Sequence, residues 1–348
     1  MAGFDNLKGN TLSKERIYVF DNIKCLAILL VVIGHAIDFL AKQDGNWLEK
    51  SLFLTIYSVH MPLFIFISGL FVKPMDKSTA FPKQKVISFV LIGIVLRIVN
   101  SLFRLLIGMK MNYAVMDMYD SFAWFMWAMA VFTSILWLFR EYDTKILLLL
   151  AVTVGCMAGY DKFLGDEFAL MRIVVFFPVF VVGYMTTPEM LVKFFSKPWF
   201  KVVSALIVAG FVTLFFLNHD IYSYLRPMFT GRNSFTVLGD YYNYGCIVRF
   251  GCYIISGVFG FAVMCLVPNK NLGFISYTGS KTLQIYFWHR FFLLLLERFG
   301  LYNRIEVLTG ETISTALYLI IAVAITFICA LPLFAFPTKQ LLKFGKTK

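Results

Sequence analysis

The residues best suited to chemistry lie in one apolar run near the start of the chain, 17–39. The run is long enough to cross a bilayer, yet it contains Asp21, Lys24, His35 and Asp38. Ionisable groups at that depth cost several kcal/mol on an isolated helix unless they face a cavity or each other, so they are candidates for function. Lys24 and His35 lie on one helix face, roughly 16 Å apart along the axis. A cation and a titratable base at that spacing suit a long anionic cofactor whose reactive atom lies far from its phosphates.

Further polar residues fall inside other apolar runs and are candidates for the same site. They are His60, Ser68, Arg97 and His289. Arg97 lies near the middle of its run, where it cannot reach lipid headgroups, so we expect it to face the protein interior. His60 has a simpler alternative, which is a hydrogen bond between two helices.

Two carboxylates on the first run have local interpretations. Asp21 and Lys24 are three residues apart on one helix face, which predicts an ion pair. Asp38 lies three residues beyond His35 and is able to orient its ring, but a solvated helix end is the expected role.

Four other residues are expected to play structural parts. Arg172 and Arg249 lie close to the ends of their runs, and we expect both side chains to extend toward lipid headgroups. Trp124 and Trp127 begin a run, and we expect them at the membrane interface rather than in a substrate site.

The composition excludes a soluble protein. Hydrophobic residues make up 59% of the chain and charged residues 15%, and there are 39 Phe. A soluble core of this size cannot bury that much apolar surface, so the composition indicates an integral membrane protein. The net charge of +12 is spread over short loops, which indicates topology determinants rather than a nucleic-acid patch. The six Cys lie in apolar segments without CxxC spacing, so we expect buried thiols and no metal site.

Apolar runs of about spanning length predict an all-α, polytopic bundle of about ten transmembrane helices. The runs are 17–40, 51–73, 84–108, 121–140, 145–159, 169–187, 201–218, 244–267, 281–299 and 312–336.

The basic residues predict the orientation of this bundle. With both termini cytoplasmic, the inner loops contain about twice as many Lys and Arg residues as the outer ones. The whole chain, 1–348, is then one membrane domain with a cytoplasmic segment 1–16 and a basic cytoplasmic tail 338–348. The first run follows a polar segment and contains ionisable residues, so we expect an uncleaved helix rather than a signal peptide.

Five segments resemble the acyltransferase-3 family of integral membrane O-acyltransferases, which modify bacterial surface glycans, including its fucose-O-acetylase-like branch. The segments occur in the family's order over nearly the whole chain, and the most specific is the first, a basic residue followed after ten residues by His. They are RIYVFDNIKCLAILLVVIGH (16–35), HMPLFIFISGLF (60–71), AWFMWAMAVF (123–132), FFPVFVVGY (176–184) and IYFWH (285–289).

The resemblance implies roles for residues of these segments. His35 would be catalytic, and Lys24 would be the basic partner of the first motif. Ser68 and Gly69 match the family's second-helix motif, and Arg97 resembles a third-helix basic residue associated with the donor. Lys24 stands where Arg is usual, which removes bidentate phosphate recognition but keeps the charge. Leu70 replaces the aromatic residue that often follows Ser-Gly.

Residues and resemblance together predict an O-acetyltransferase of the bacterial cytoplasmic (inner) membrane. The acetyl group would pass from cytoplasmic acetyl-CoA to a hydroxyl of a cell-surface or lipid-linked glycan, with no permanently bound cofactor. His35 would act as a general base or as a nucleophile that forms an acyl-histidine. The candidate donors to the oxyanion are His60, Ser68, Arg97 and His289.

Two alternatives remain open on the sequence. One is succinyl transfer by the same machinery, which would need an extra cation near the acyl end, such as Arg290 or Arg249. The other is an exporter or flippase of lipid-linked saccharides; the absence of a second copy of the first two motifs argues against an inverted-repeat transporter. The acceptor sugar, the position acetylated and the oligomeric state do not follow from the sequence.

Overall fold

The structure, a computed structural model, describes residues 17–38, 40–42, 46–109, 123–164 and 168–344. These residues form α-helices and short 3-10 helices, with no β-strand among them. The α-helices are α1 (Tyr18–Ile37), α2 (Trp47–Tyr57), α3 (His60–Leu70), α4 (Lys83–Leu106), α5 (Trp124–Leu138), α6 (Thr144–Met157), α7 (Leu170–Met185), α8 (Pro188–Phe195), α9 (Pro198–Leu217), α10 (Tyr222–Thr230), α11 (Gly245–Leu266), α12 (Phe274–Gly279), α13 (Thr282–Arg298), α14 (Leu301–Thr309), α15 (Glu311–Cys329) and α16 (Thr338–Phe344). The 3-10 helices are Leu40–Lys42, Ala158–Tyr160, His219–Ile221, Phe235–Tyr244 and Pro332–Ala335. The predicted cytoplasmic segment 1–16 and the last four residues of the predicted tail lie outside the described residues.

Each of the ten apolar runs coincides with a helix or, for 51–73, with the pair α2 and α3. In the described ranges, six helical stretches are long and apolar enough to cross a membrane, or seven if the bent pair α7 and α8 forms one span. Helices α5 and α6 are apolar but shorter. The chain is therefore an all-helical, multi-pass membrane protein, while ten spans and cytoplasmic termini stay predictions.

Helix α1 lies at the centre of the bundle. It packs against α2, α3, α12, α13 and α15. In its most apolar window 67% of the residues are buried, compared with 11% for α9, a helix of the same length. Since both helices are strongly apolar, their different burial comes from packing and not from composition.

A helix break places His60 at the first residue of α3. Helix α2 ends at Tyr57, and Val59 has non-helical dihedral angles. Pro62 accounts for the break, because proline has no N–H to donate to the carbonyl of the residue four positions earlier, Ser58.

Two glycines let α3 and α7 cross in close contact. A Cβ atom at Gly69 would collide with the carbonyl oxygen of Phe180, and one at Gly183 would collide with that of Phe66. The glycine of the Ser-Gly motif is thus required by helix packing, since a larger residue would separate the two helices.

Candidate functional site

His35 lies near the C-terminal end of α1 and is partly accessible, although Gly34 and Ala36 on either side of it are buried. Its ring stacks on that of His289 from α13, with ring centroids 5.4 Å apart and planes inclined by 26°. Within the described residues, no group forms a hydrogen bond with the ring nitrogens of His35. An accessible imidazole without such a bond is able to accept a proton or to attack a carbonyl carbon.

The two neighbouring histidines are held differently. Nδ1 of His60 lies 2.9 Å from the carbonyl oxygen of Ile56, and Nδ1 of His289 lies 2.9 Å from that of Ile285. Because a carbonyl only accepts, the hydrogen of each neutral ring is assigned to Nδ1, and Nε2 is an acceptor. Neither neutral ring can therefore donate from Nε2 to an oxyanion, which argues against the donor role considered for both.

Two arginines lie within electrostatic range of His35, Arg290 of α13 and Arg172 of α7. The other titratable groups that act on its ring are His289 and His60. Arg290 follows His289 on α13, and its guanidinium lies 3.7 Å from the carboxylate of Glu297. The two arginines can stabilise negative charge that develops beside the His35 ring.

Arg172 does not extend to the headgroups, so that expectation is wrong. Its side chain is 5% exposed, and its guanidinium lies 5.0 Å from the ring centroid of Trp124. Trp124 is itself buried and stacks on Phe176, so the interface position expected for it is also wrong. Arg249 of α11 is 1% exposed, which excludes its expected headgroup contact as well. Trp127 is half-buried beside α4.

Aromatic rings enclose the histidines. The ring of Tyr57 meets that of His60 edge-on with centroids 4.5 Å apart. Phe125 packs against Tyr286 at 5.7 Å and against Phe64 at 6.3 Å. Such apolar walls exclude water and strengthen the electrostatic interactions of the charges they enclose.

The N-terminal end of α1 carries the predicted ion pair. Nζ of Lys24 lies 2.8 Å from Oδ1 of Asp21, and both side chains are largely buried, which confirms that local prediction. The spacing from Lys24 to His35 corresponds to about 16 Å along the helix. A continuous passage between the two stays a prediction.

Asn22 fixes this end of α1 to the connection between α11 and α12. Its amide nitrogen donates to the carbonyl oxygens of Pro268 and Lys270, both at 2.9 Å. Its amide oxygen accepts from the hydroxyl of Ser276 at 2.6 Å. Close contact with α12 is possible because Gly279 faces the backbone of α1, where a Cβ atom would collide with the carbonyl oxygen of Asp21.

Ser68 and Arg97 are not among the groups gathered around His35. The hydroxyl of Ser68 donates to the carbonyl oxygen of Phe64 at 2.8 Å, and Ser68 lies about 12 Å along α3 from His60. Arg97 is buried on α4, but it is not among the side chains that act most strongly on His35. Their assignments to donor binding or transition-state support stay predictions.

Asp38 binds two cations instead of orienting His35. Its carboxylate lies 2.7 Å from Nζ of Lys42 and 2.9 Å from Nη2 of Arg226 on α10. Burial raises the pKa of the Asp38 carboxyl, but Arg226 and Lys42 outweigh it, so the pKa lies below the usual value. The end of α1 is therefore ion-paired rather than simply solvated.

The sequence reasoning missed Arg172 as a neighbour of His35. It lies inside an apolar run, as Arg97 does, so the argument that kept Arg97 as a candidate applied to it equally. Its proximity to a run end suggested headgroup contact instead, and only the packing of α7 against α5 shows which way it turns. Across the described ranges, no group of three or more His, Cys, Asp or Glu side chains is arranged to hold a metal ion.

Comparison with known proteins adds one finding. The acyltransferase-3 family model, described as an acyltransferase domain, matches residues 17–335. No curated protein and no solved structure matches the chain.

Proposed function

Because the chain belongs to the acyltransferase-3 family, we propose that it is a membrane O-acetyltransferase that uses acetyl-CoA and acylates a hydroxyl of a cell-surface or lipid-linked glycan. Family membership establishes a membrane acyltransferase in general. Acetyl-CoA as donor, the glycan as acceptor and the bacterial inner membrane as location are parts of the proposal.

One observation supports the proposal most directly: the accessible ring of His35 stacks on that of His289 and lies within electrostatic range of Arg172 and Arg290. Acyl transfer to an alcohol needs a base for the hydroxyl proton and positive charge for the oxyanion. The base belongs to the central helix α1, and the positive charge comes from Arg172 of α7 and Arg290 of α13.

In the proposed reaction His35 takes the proton of the sugar hydroxyl while its oxygen attacks the thioester carbonyl carbon. The tetrahedral intermediate carries its negative charge on the former carbonyl oxygen. Its collapse breaks the carbon–sulfur bond, and the CoA thiolate takes the proton from the His35 imidazolium. An alternative with His35 as the nucleophile, followed by transfer from an acyl-histidine, uses the same residues.

We assign the oxyanion to the arginines rather than to His60, Ser68 or His289. The two neutral rings present Nε2 as an acceptor, and the serine hydroxyl already donates within its own helix. Arg172 and Arg290 are both candidates, and the guanidinium of Arg290 also lies 3.7 Å from the carboxylate of Glu297.

The donor phosphates are assigned to the N-terminal end of α1. Lys24 would supply the charge, Lys270 lies on the connection that Asn22 fixes, and Lys281 lies between α12 and α13. Because Lys24 is paired with Asp21, a phosphate must compete with that carboxylate or bind the pair from outside.

The test is chemical. Purified protein is mixed with acetyl-CoA and with candidate glycans. Free CoA is measured with a thiol reagent, and the mass of the glycan is measured by mass spectrometry. We expect CoA release that depends on the glycan, together with an acetyl group on the glycan. An exporter or flippase of similar topology would release none, and that result would reject the proposal.

Succinyl transfer is a second candidate, since two arginines near His35 could hold the free carboxylate of a succinyl group. Competition between acetyl-CoA and succinyl-CoA measures the preference directly. If succinyl-CoA is preferred, Arg290→Gln should lower succinyl transfer more than acetyl transfer.

A further inference from the structure

Arg249 is a buried arginine that lies outside the His35 cluster, by which we mean His35 with His60, Arg172, His289 and Arg290. Arg249 is among the largest fully buried side chains of the described residues. Its Nη1 donates to the carbonyl oxygen of Met228 on α10. Its Nε and Nη2 are buried and have no hydrogen-bond partner, and no carboxylate of the described residues forms an ion pair with it.

This arrangement leaves a positive charge without a counter-charge. Arginine stays protonated in proteins, so Arg249 cannot become neutral when it is buried. A buried ion is strongly unfavourable unless an opposite charge or a full set of hydrogen bonds compensates it. The ring of Phe235, 5.8 Å from the guanidinium carbon, offers a cation–π contact but no acceptor for the two N–H groups.

The ring of Phe235 covers Arg249, and two glycines fix its position. Phe235 lies against Gly159 and Gly245, where a Cβ atom would collide with the ring. Phe235 itself is fully buried. The guanidinium therefore has little room to turn toward a different partner.

A small cavity of about 20 Å³ borders the guanidinium. That volume holds one particle of about the size of a water molecule. Arg249, Cys252, Tyr253 and Ser256 line it from one face of α11, as their spacing of three and four residues predicts. Its other walls are mainly apolar and include Pro62.

We propose that this cavity binds a compact monovalent anion through Nε–H and Nη2–H of Arg249 and the hydroxyl of Ser256. A halide ion is close to the size of this cavity, whereas acetate has the same charge but is larger and tests whether the cavity can expand. A phosphate ester or nucleotide is too large for the space. Water would satisfy hydrogen bonds but not the charge, so binding of water alone is an outcome that rejects the proposal.

The anion would join α10, α11 and the turn that carries Phe235 on one side of the His35 cluster. Phe176 lines the cavity and stacks on Trp124, whose ring lies 5.0 Å from the guanidinium of Arg172 in that cluster. The inference does not depend on acyl transfer, and its test measures binding rather than activity. Failure of one proposal therefore leaves the other standing.

Thermal unfolding of the purified full-length protein tests the proposal. The protein is measured in sodium chloride, in sodium acetate and in sodium benzenesulfonate, whose anion is too bulky, at one fixed ionic strength. Sodium benzenesulfonate replaces the test salt to hold the ionic strength constant. Above the dissociation constant, Tm should then rise by about 2–4 °C for each tenfold increase in the free anion concentration. Arg249→Gln should abolish this dependence, whereas Arg304→Gln, at an exposed arginine, should retain it.

The outcomes of this experiment identify the bound anion or reject the proposal. Stabilisation by chloride alone assigns a halide-sized site, and stabilisation by both chloride and acetate assigns a site that expands to admit a carboxylate. Stabilisation by acetate alone would overturn the proposal of a compact anion. Equal Tm in the three salts, or an unchanged response in Arg249→Gln, would overturn the proposal. If Arg249→Gln does not fold, Ser256→Ala should raise the chloride concentration needed for half the effect several-fold. Crystals soaked in bromide should then show an anomalous peak beside Arg249, and its absence would also overturn the proposal.

Discussion

The two ends of α1 differ in how their polar side chains are satisfied. Near the N-terminal end, Lys24 pairs with Asp21, and Asn22 forms two hydrogen bonds with the α11–α12 connection and one with Ser276 of α12. Near the C-terminal end, the ring of His35 has no hydrogen-bond partner among the described residues and lies within electrostatic range of Arg172 and Arg290. The first end is held in place and the second is available for reaction. Chemistry on this helix is therefore expected at His35, with Lys24 in support.

The largest effect is expected at His35, at the reactive end of α1. His35→Ala should lower acyl transfer by about 10²–10⁴-fold, because the base or nucleophile is lost. Free CoA release and glycan mass measure the loss, and thermal unfolding checks that the variant is folded.

The matched control is His219→Ala, which changes a histidine of a 3-10 helix outside the cluster. It should retain activity. Full activity of His35→Ala would mean that the reactive group lies on another helix.

Substitution of Arg172 tests whether the reactive end of α1 stabilises the transition state. Arg172→Met should lower kcat by about 10²–10³-fold with little change in KM for the donor, because an oxyanion forms only in the transition state. Arg172→Lys should restore part of the rate, since it keeps a charge but loses the planar guanidinium.

Arg140 is a matched control for Arg172, because its guanidinium also lies over a tryptophan, 4.1 Å from the ring centroid of Trp137. Arg140→Met should leave kcat unchanged. A rise in KM with unchanged kcat for Arg172→Met would show that this arginine binds substrate instead of stabilising the transition state.

Substitutions at the N-terminal end of α1 should change KM rather than kcat. Lys24→Ala should raise KM for the acyl donor by about tenfold, in keeping with the loss of one charged hydrogen bond, while Lys24→Arg should be tolerated. Asp21→Asn should lower that KM, because it frees the ammonium group for a phosphate. Steady-state kinetics over a range of donor concentrations measure all three. If Lys24→Ala and Lys24→Arg both lose kcat at unchanged KM, the phosphate role is wrong.

The smallest effect is expected at Asp38, beyond the reactive end. Its pKa lies below the usual value in the folded protein, so its pairing stabilises the fold above the usual carboxyl pKa. That stabilisation is lost as the pH falls through the lowered, folded-state pKa. Arg226→Gln should cost about 1 kcal/mol at neutral pH and make unfolding less sensitive to acid. Thermal unfolding between pH 7 and pH 3 measures both, and an unchanged acid response would show that Lys42 alone carries the pairing.

Local features of the sequence predicted much of the fold. Each apolar run became a helix, because hydropathy and helix formation depend on neighbouring residues. The pair of Asp21 and Lys24 was predictable for the same reason, since its geometry follows from a spacing of three residues on one helix. His35 was identified as a candidate because an ionisable group in an apolar run is energetically costly and is therefore expected to have a function.

Only the tertiary structure decided which side chains meet His35. Arg172 and Arg290 come from α7 and α13, far along the chain from His35. Ser68, although it belongs to a motif, lies away from the cluster. In these almost uniformly apolar helices no polar stripe marks the face that turns inward, so the hydrophobic pattern does not give the packing. The contacts follow from close fits between distant segments, as at Gly69 and Gly183, and from breaks such as the one before His60. The sequence alone therefore determined the helices and the candidate base, and the packing of helices supplied its partners.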